Sequence, residues 1–149
     1  NKAFVAGVGG LFVKALREAK SDLPKSEIMN ALRVVGEDMR QQPAQERVLF
    51  LISDMLEHSD YTSFYASDKI SNLNVDKELK LAGDKHLFAD LDQARVYVTG
   101  AGLVTDKVKH AYRSGKTMGL INDFWKNYFA SSNASLMAFG APSLNVDLH

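Results

Sequence analysis

The run Arg47-Val-Leu-Phe-Leu-Ile-Ser-Asp54 constrains this chain more than any other segment. Five consecutive large apolar residues closed by Ser-Asp describe a parallel strand buried on both faces, which delivers a carboxylate to the edge of a sheet. Ligands of open α/β folds bind at that edge. A second segment, Ala94-Arg-Val-Tyr-Val-Thr-Gly100, is again mostly β-branched or aromatic and runs into Gly100-Ala-Gly102. Ser135-Leu-Met-Ala-Phe139 offers a third, shorter strand before Gly140-Ala-Pro142.

Helical spacing fills the intervals. Leu11, Ala15, Leu16 and Ala19 recur at helical positions with Lys14, Arg17 and Lys20 between them. Ile28, Met29, Ala31, Leu32, Val35 and Met39 form a second amphipathic pattern that stops before Pro43, with Ser26 as its expected N-cap. His86 to Leu91 reads as a short helix. Asp106 to Tyr112 is a further helical candidate, and Thr117 to Ser131 is a strong one with Leu120, Ile121, Phe124, Trp125, Tyr128 and Phe129 on one broad apolar face. The polar stretch from Ser67 to Lys85 fits a hairpin, an excursion or a loop. Strands alternating with helices predict a parallel sheet with right-handed crossovers, an α/β fold of three-layer, Rossmann-like build.

Composition narrows the function classes. Lys+Arg 18 balance Asp+Glu 18, so no net field draws the chain to nucleic acid, and nucleic-acid binding is not expected. Zero Cys removes disulfides, thiolate catalysis and Cys-ligated zinc while leaving the compartment open. No apolar run approaches the roughly 20 residues that span a bilayer. The chain opens on Asn1 and not Met, which suggests processing, proteolysis or a chosen boundary.

Four groups of residues resemble the later part of a von Willebrand factor type A domain. They are Ser26-Glu-Ile-Met-Asn-Ala-Leu32, Val48-Leu-Phe-Leu-Ile-Ser-Asp54, Val96-Tyr-Val-Thr-Gly-Ala-Gly102, and Phe124-Trp-Lys-Asn-Tyr-Phe129 leading to Phe139-Gly-Ala-Pro142. The family shows a Thr five residues before an Ala-Leu pair, a hydrophobic strand ending in Thr-Asp or Ser-Asp, and a Val-Tyr-x-x-Gly-x-Gly strand. The resemblance covers roughly residues 26 to 142. It implies a sheet of order 3-2-1-4-5-6 of which this chain carries the 4-5-6 half, so that residues 1–149 form a single domain or the C-terminal part of one.

The same resemblance implies a metal-ion-dependent adhesion site. Ser26 stands at the Thr ligand position and Asp54 at the last Asp position, a hydroxyl and a carboxylate that suit Mg²⁺ or another divalent cation. Ser53, Glu57, Gly100 and Gly102 would line the partner-binding rim, with Asp60 nearby. The Asp-x-Ser-x-Ser loop that completes such a site occurs nowhere in the chain. Strand 47–53 would then lie beside a strand that this chain does not carry, and another polypeptide, an N-terminal half or a second copy, is expected to pair with it. The resulting expectation is a non-enzymatic protein-binding or scaffolding module.

Other signals are weaker. Gly7-Val-Gly9-Gly10 before a helical pattern invites the alternative of a Rossmann-like nucleotide-binding protein or enzyme, but Phe12 occupies the third fingerprint position. His58, His86, His110 and His149 never fall at the i, i+3 or i+4 spacing of a helical zinc pair. Trp125, Tyr128 and Phe129 read as core packing. Lys107, Lys109, Arg113 and Lys116 around Tyr112 read as a solvated basic face.

Overall fold

The computed structural model describes residues 25–65, 70–101 and 115–141. In chain order these form α1 (Ile28–Gln41), β1 (Val48–Ile52), α2 (Val75–Asp84), β2 (Ala94–Thr99), α3 (Gly115–Ser131) and β3 (Ala134–Ala141). The strands make one parallel sheet of order β1-β2-β3. The alternation of strand and helix read from the sequence is therefore the observed one, and the chain is α/β and Rossmann-like in build. The Gly7–Gly10 cluster, the 11–20 and 106–112 patterns, Gly102, His110, His149 and the basic residues 107–113 lie outside the described residues.

Side-chain alternation splits the sheet into two unlike faces. Leu49 and Leu51 of β1, Ala94, Val96 and Val98 of β2, and Leu136 and Phe139 of β3 join one core with residues of α1, α2 and α3. Helix α3 supplies its centre: Ile121, Phe124, Trp125, Tyr128 and Phe129 are all fully buried, as their shared helical stripe predicts. Ring pairs such as Phe64–Phe124 at 5.1 Å and Trp125–Tyr128 at 5.1 Å meet edge to face.

The opposite face corrects the expectation of a strand buried on both sides. Val48, Phe50 and Ile52 are 40%, 46% and 51% exposed, and Met137 of β3 is 51% exposed. Phe50 lies against Tyr97 of β2 with ring centroids 5.4 Å apart. An uninterrupted apolar run cannot by itself say whether both faces are covered, because burial of the second face is decided by what packs there. Register along β1–β2 is regular from Val48↔Arg95 to Ile52↔Thr99. Between β2 and β3 it slips twice, leaving Met137 and Gly140 unmatched, and Gly140 takes φ 83 at its bulge.

Three local readings change. Ser26 is not the N-cap: α1 starts at Ile28, and Glu27 at the capping position makes no capping bond with its side chain. Residues 87–91 carry no helix; His86 turns the chain at φ 54, and the segment runs irregularly into β2. The polar stretch contains α2, whose N-cap Asn74 accepts from the Lys77 amide at 2.9 Å, with Asp76 and Glu78 in the first turn.

Turns are held from α3. Ser132 Oγ accepts the Ala89 amide at 3.1 Å, and its carbonyl accepts Leu91 N–H at 2.9 Å. Tyr128 donates its hydroxyl to the Leu87 carbonyl at 2.7 Å, and Trp125 Nε1 donates to the Met55 carbonyl at 2.8 Å. Burial pushes the Tyr128 phenol up well beyond its ordinary value, so it stays a neutral donor at every ordinary pH.

Candidate functional site

The rim at the C-terminal ends of β1 and β2 gathers the polar residues of the loop after β1. Ser53 N–H reaches across to the Thr99 carbonyl at 3.1 Å, which carries the β1–β2 pairing one residue past the strand. The loop then turns on itself: Ser53 Oγ accepts Met55 N–H at 3.0 Å and Asp54 Oδ1 accepts Leu56 N–H at 3.0 Å, while Met55 sits at φ 62. Asp54 is thereby held at the strand end with its second oxygen directed elsewhere.

That second oxygen meets Tyr65. The Tyr65 hydroxyl donates to Asp54 Oδ2 at 2.9 Å. Tyr65, which sequence reasoning missed, is thus the partner of Asp54, and its ring also meets His58, the residue that pairs with Ser26. No spacing rule marks a tyrosine as such a partner. Partial burial, then the Asp54 carboxylate, raises the Tyr65 phenol above its ordinary value, so it remains protonated and able to donate near neutral pH.

A short antiparallel ladder fixes Ser26 in place. Ser26 and His58 exchange backbone bonds at 2.9 Å in both directions, and His58 bridges onward to Ser63. The His58 ring meets Ser63 Oγ through Nδ1 at 2.8 Å and Tyr65 edge-on at 5.6 Å. Ser63 Oγ also receives the Tyr65 amide at 3.4 Å, so the pair staples the loop that carries the phenol.

The expected rim residues separate. Ser53 is half-buried beside Asp54; Gly100, at φ 86, is buried at the end of β2; Gly102 lies outside the described residues. Glu57, expected on an exposed rim, is 1% exposed and turned inward. Its Oε2 accepts Met29 N–H at 3.1 Å, while the Ile28 amide is taken by the Ser26 carbonyl at 3.0 Å. Glu57 therefore does what the Ser26 side chain was expected to do, satisfying one orphan amide of the α1 N-terminus from a distant loop. Beside it a cleft of about 210 Å³ is lined by Glu27, Arg33, Ser59, Asp60 and Tyr61 among others, and Lys25 already pairs with Asp60 at 2.6 Å.

Burial pushes the Glu57 carboxyl up from its ordinary value, against the hydrogen bond of the Met29 amide. The native state then binds the proton more tightly than the unfolded chain, so this residue's contribution to stability is fully present below the unfolded value and is lost as pH rises through the folded one. Glu57→Gln removes that dependence. Thermal unfolding followed from below about pH 4 to about pH 7 should show the variant gaining on the wild type as pH rises. A gap moving the other way contradicts the burial of this carboxyl.

The donor set suits a hard cation only in part. Asp54 and Ser26 offer a carboxylate and a hydroxyl, as Mg²⁺ prefers, and Tyr65 adds a phenol oxygen. Among the described residues no group of three or more His, Cys, Asp or Glu is placed to hold a metal ion, and no helix is long and apolar enough to cross a membrane. The fold thus defines the class of this chain as α/β with a parallel, Rossmann-like sheet. Comparison with family models, curated proteins and solved structures finds no match to it.

Proposed function

We propose that this chain is a protein-binding or scaffolding module of von Willebrand A-like type, in which the outer edge of β1 takes a strand from another polypeptide. The observation that carries the reading is the row Val48, Phe50 and Ile52: three large apolar side chains, each at least 40% exposed, on a strand bonded only to β2 among the described residues. Natural edge strands are guarded by charge, proline or a bulge, and residues 48–52 contain none of these. An N-terminal half bearing the Asp-x-Ser-x-Ser loop and a second copy of the chain are both occupants of this kind.

Asp54 at the C-terminal end of β1, bonded to Tyr65, with Ser26 paired to His58 whose ring meets Tyr65, supports the second element of the proposal. The partner contacts the rim through Mg²⁺ or another divalent cation, to which Asp54 contributes its carboxylate and Ser26 its hydroxyl, the partner and water supplying the remaining ligands. The reading is of a binding module and not an enzyme.

Thermal unfolding in Mg²⁺, Mn²⁺ and EDTA tests the cation. A ligand present at about a hundred times its Kd stabilises by about 2.7 kcal/mol, well within reach of such a measurement. Metal should raise the Tm of the wild type, EDTA should reverse the rise, and Asp54→Ala should abolish it. The variant itself should lose about 1–3 kcal/mol, since the bonds from the Leu56 amide and the Tyr65 hydroxyl go with the carboxylate. A wild type indifferent to both metals removes the cation from the proposal.

A further inference from the structure

We propose that Tyr65 is a latch on the rim: its phenol holds the Asp54 oxygen that a divalent cation would take, so that the Tyr65 bond and the cation exclude one another. This rests on the reading that Asp54 serves a cation, and it says how the chain itself controls that service.

The two oxygens of Asp54 are both engaged within the chain, Oδ1 by the Leu56 amide at 3.0 Å and Oδ2 by the Tyr65 hydroxyl at 2.9 Å. The two bonds differ in kind. Leu56 N–H lies two residues on, inside the turn that ends β1, and is fixed with the backbone. Tyr65 lies 11 residues on and reaches back with a side chain. Oδ2 is therefore the oxygen that can change partner while the turn stays as it is.

Exclusion follows from the direction of the bond. An ionised carboxylate only accepts, so the phenol turns its hydrogen toward Oδ2 and its lone pairs away. That positive hydrogen stands where Mg²⁺ would have to come within about 2.0–2.1 Å of the oxygen. Tyr65 has to release Oδ2 first.

The surroundings of Tyr65 suit a movable part on a fixed mount. Phe64 is fully buried, meets Phe124 edge to face at 5.1 Å, and bonds the Glu57 carbonyl through its amide at 2.7 Å, which anchors the chain up to that residue. Tyr65 is 37% exposed, with its ring edge-on to His58 at 5.6 Å and its amide on Ser63 Oγ at a long 3.4 Å. Swinging the phenol away gives up one hydrogen bond and one ring contact and leaves the core intact. A bond from a neutral donor to a carboxylate in reach of water shifts such an equilibrium by about a factor of ten, and the apparent affinity for a cation falls by the same factor.

Tyr65→Phe keeps the ring on His58 and removes only the hydroxyl, so the full chain carrying it provides the test. Titrated with Mn²⁺ and followed by water-proton relaxation, the variant should bind about tenfold more tightly than the wild type, and Asp54→Ala should not bind. In the wild type, Mg²⁺ should raise the nitration of Tyr65 by tetranitromethane above its level in EDTA, read by peptide mass mapping, while Tyr61, 48% exposed, stays level as the internal control. Equal affinities, or Tyr65 nitration that ignores bound metal, overturn the latch and leave the cation site standing. Weaker binding by Tyr65→Phe also overturns it and makes the phenol oxygen a ligand. Absence of metal binding in both proteins removes the cation site and the latch together.

Discussion

Trp125→Ala should lower the stability of the protein by about 3–5 kcal/mol, the range for deleting a fully buried aromatic side chain. The indole is fully buried among Phe124, Tyr128 and Phe129, with ring centroids 5.1 to 5.9 Å away, and no exposed neighbour can collapse into the space. Its Nε1 also satisfies the Met55 carbonyl, and leaving that acceptor without a partner adds a penalty of about 1–3 kcal/mol wherever water cannot enter. Against a total stability of about 5–15 kcal/mol, the loss removes much of the folded population. Urea unfolding followed by circular dichroism measures it, since the chain's single Trp is the residue deleted. Trp125→Phe retains most of the ring and loses the donor, so it should fall between. A loss below about 1 kcal/mol in the alanine variant would mean the indole is not a core residue.

Gly36→Ala should destabilise, although helix propensity alone favours alanine by about 1 kcal/mol in the interior of α1. A Cβ at position 36 would stand 2.6 Å from the Asp90 carbonyl oxygen and 3.3 Å from its carbon. These are backbone atoms and they are pinned: Arg40 donates to the same oxygen at 3.0 Å, and Asn133 and the Asp92 amide hold the Asp90 carboxylate at 3.1 and 3.2 Å. Relief requires α1 to lift from the loop before β2, and overpacking of this kind costs about 1–3 kcal/mol. The net sign is therefore negative. A rise in Tm would place α1 farther from residues 90–91.

How far the sequence could be read depended on whether the cause was local. Strands β1, β2 and β3 were recognisable because apolar residues cluster in short runs ended by Ser-Asp or Gly, and α3 because its apolar residues recur at helical spacing. Helix α2 carried a legible signal in Asn74 with Asp76 and Glu78 behind it, masked by the polar composition around it. The open face of β1 was not legible, since nothing in Val48-Leu-Phe-Leu-Ile52 distinguishes a covered residue from an uncovered one. The resemblance grouped Ser26 with Asp54, but Tyr65, which bonds Asp54, carried no signal, because a phenol reaching back to a distant loop leaves no periodic trace. The start of α1 failed for the same reason: a serine beside the helix suggested a cap, while the carboxylate that fills the role comes from 28 residues downstream.

That borrowed carboxylate has a bearing on the order in which the chain folds. The first turn of α1 has no side chain of its own neighbourhood to cap it, and its Met29 amide waits for Glu57 to arrive on the exit loop of β1. Helix initiation is costly when the leading N–H groups stay open. A peptide spanning residues 25–45 should therefore fray at its N-terminal end in isolation, and in the whole protein the beginning of this helix is a late event, timed by the docking of the strand that follows it.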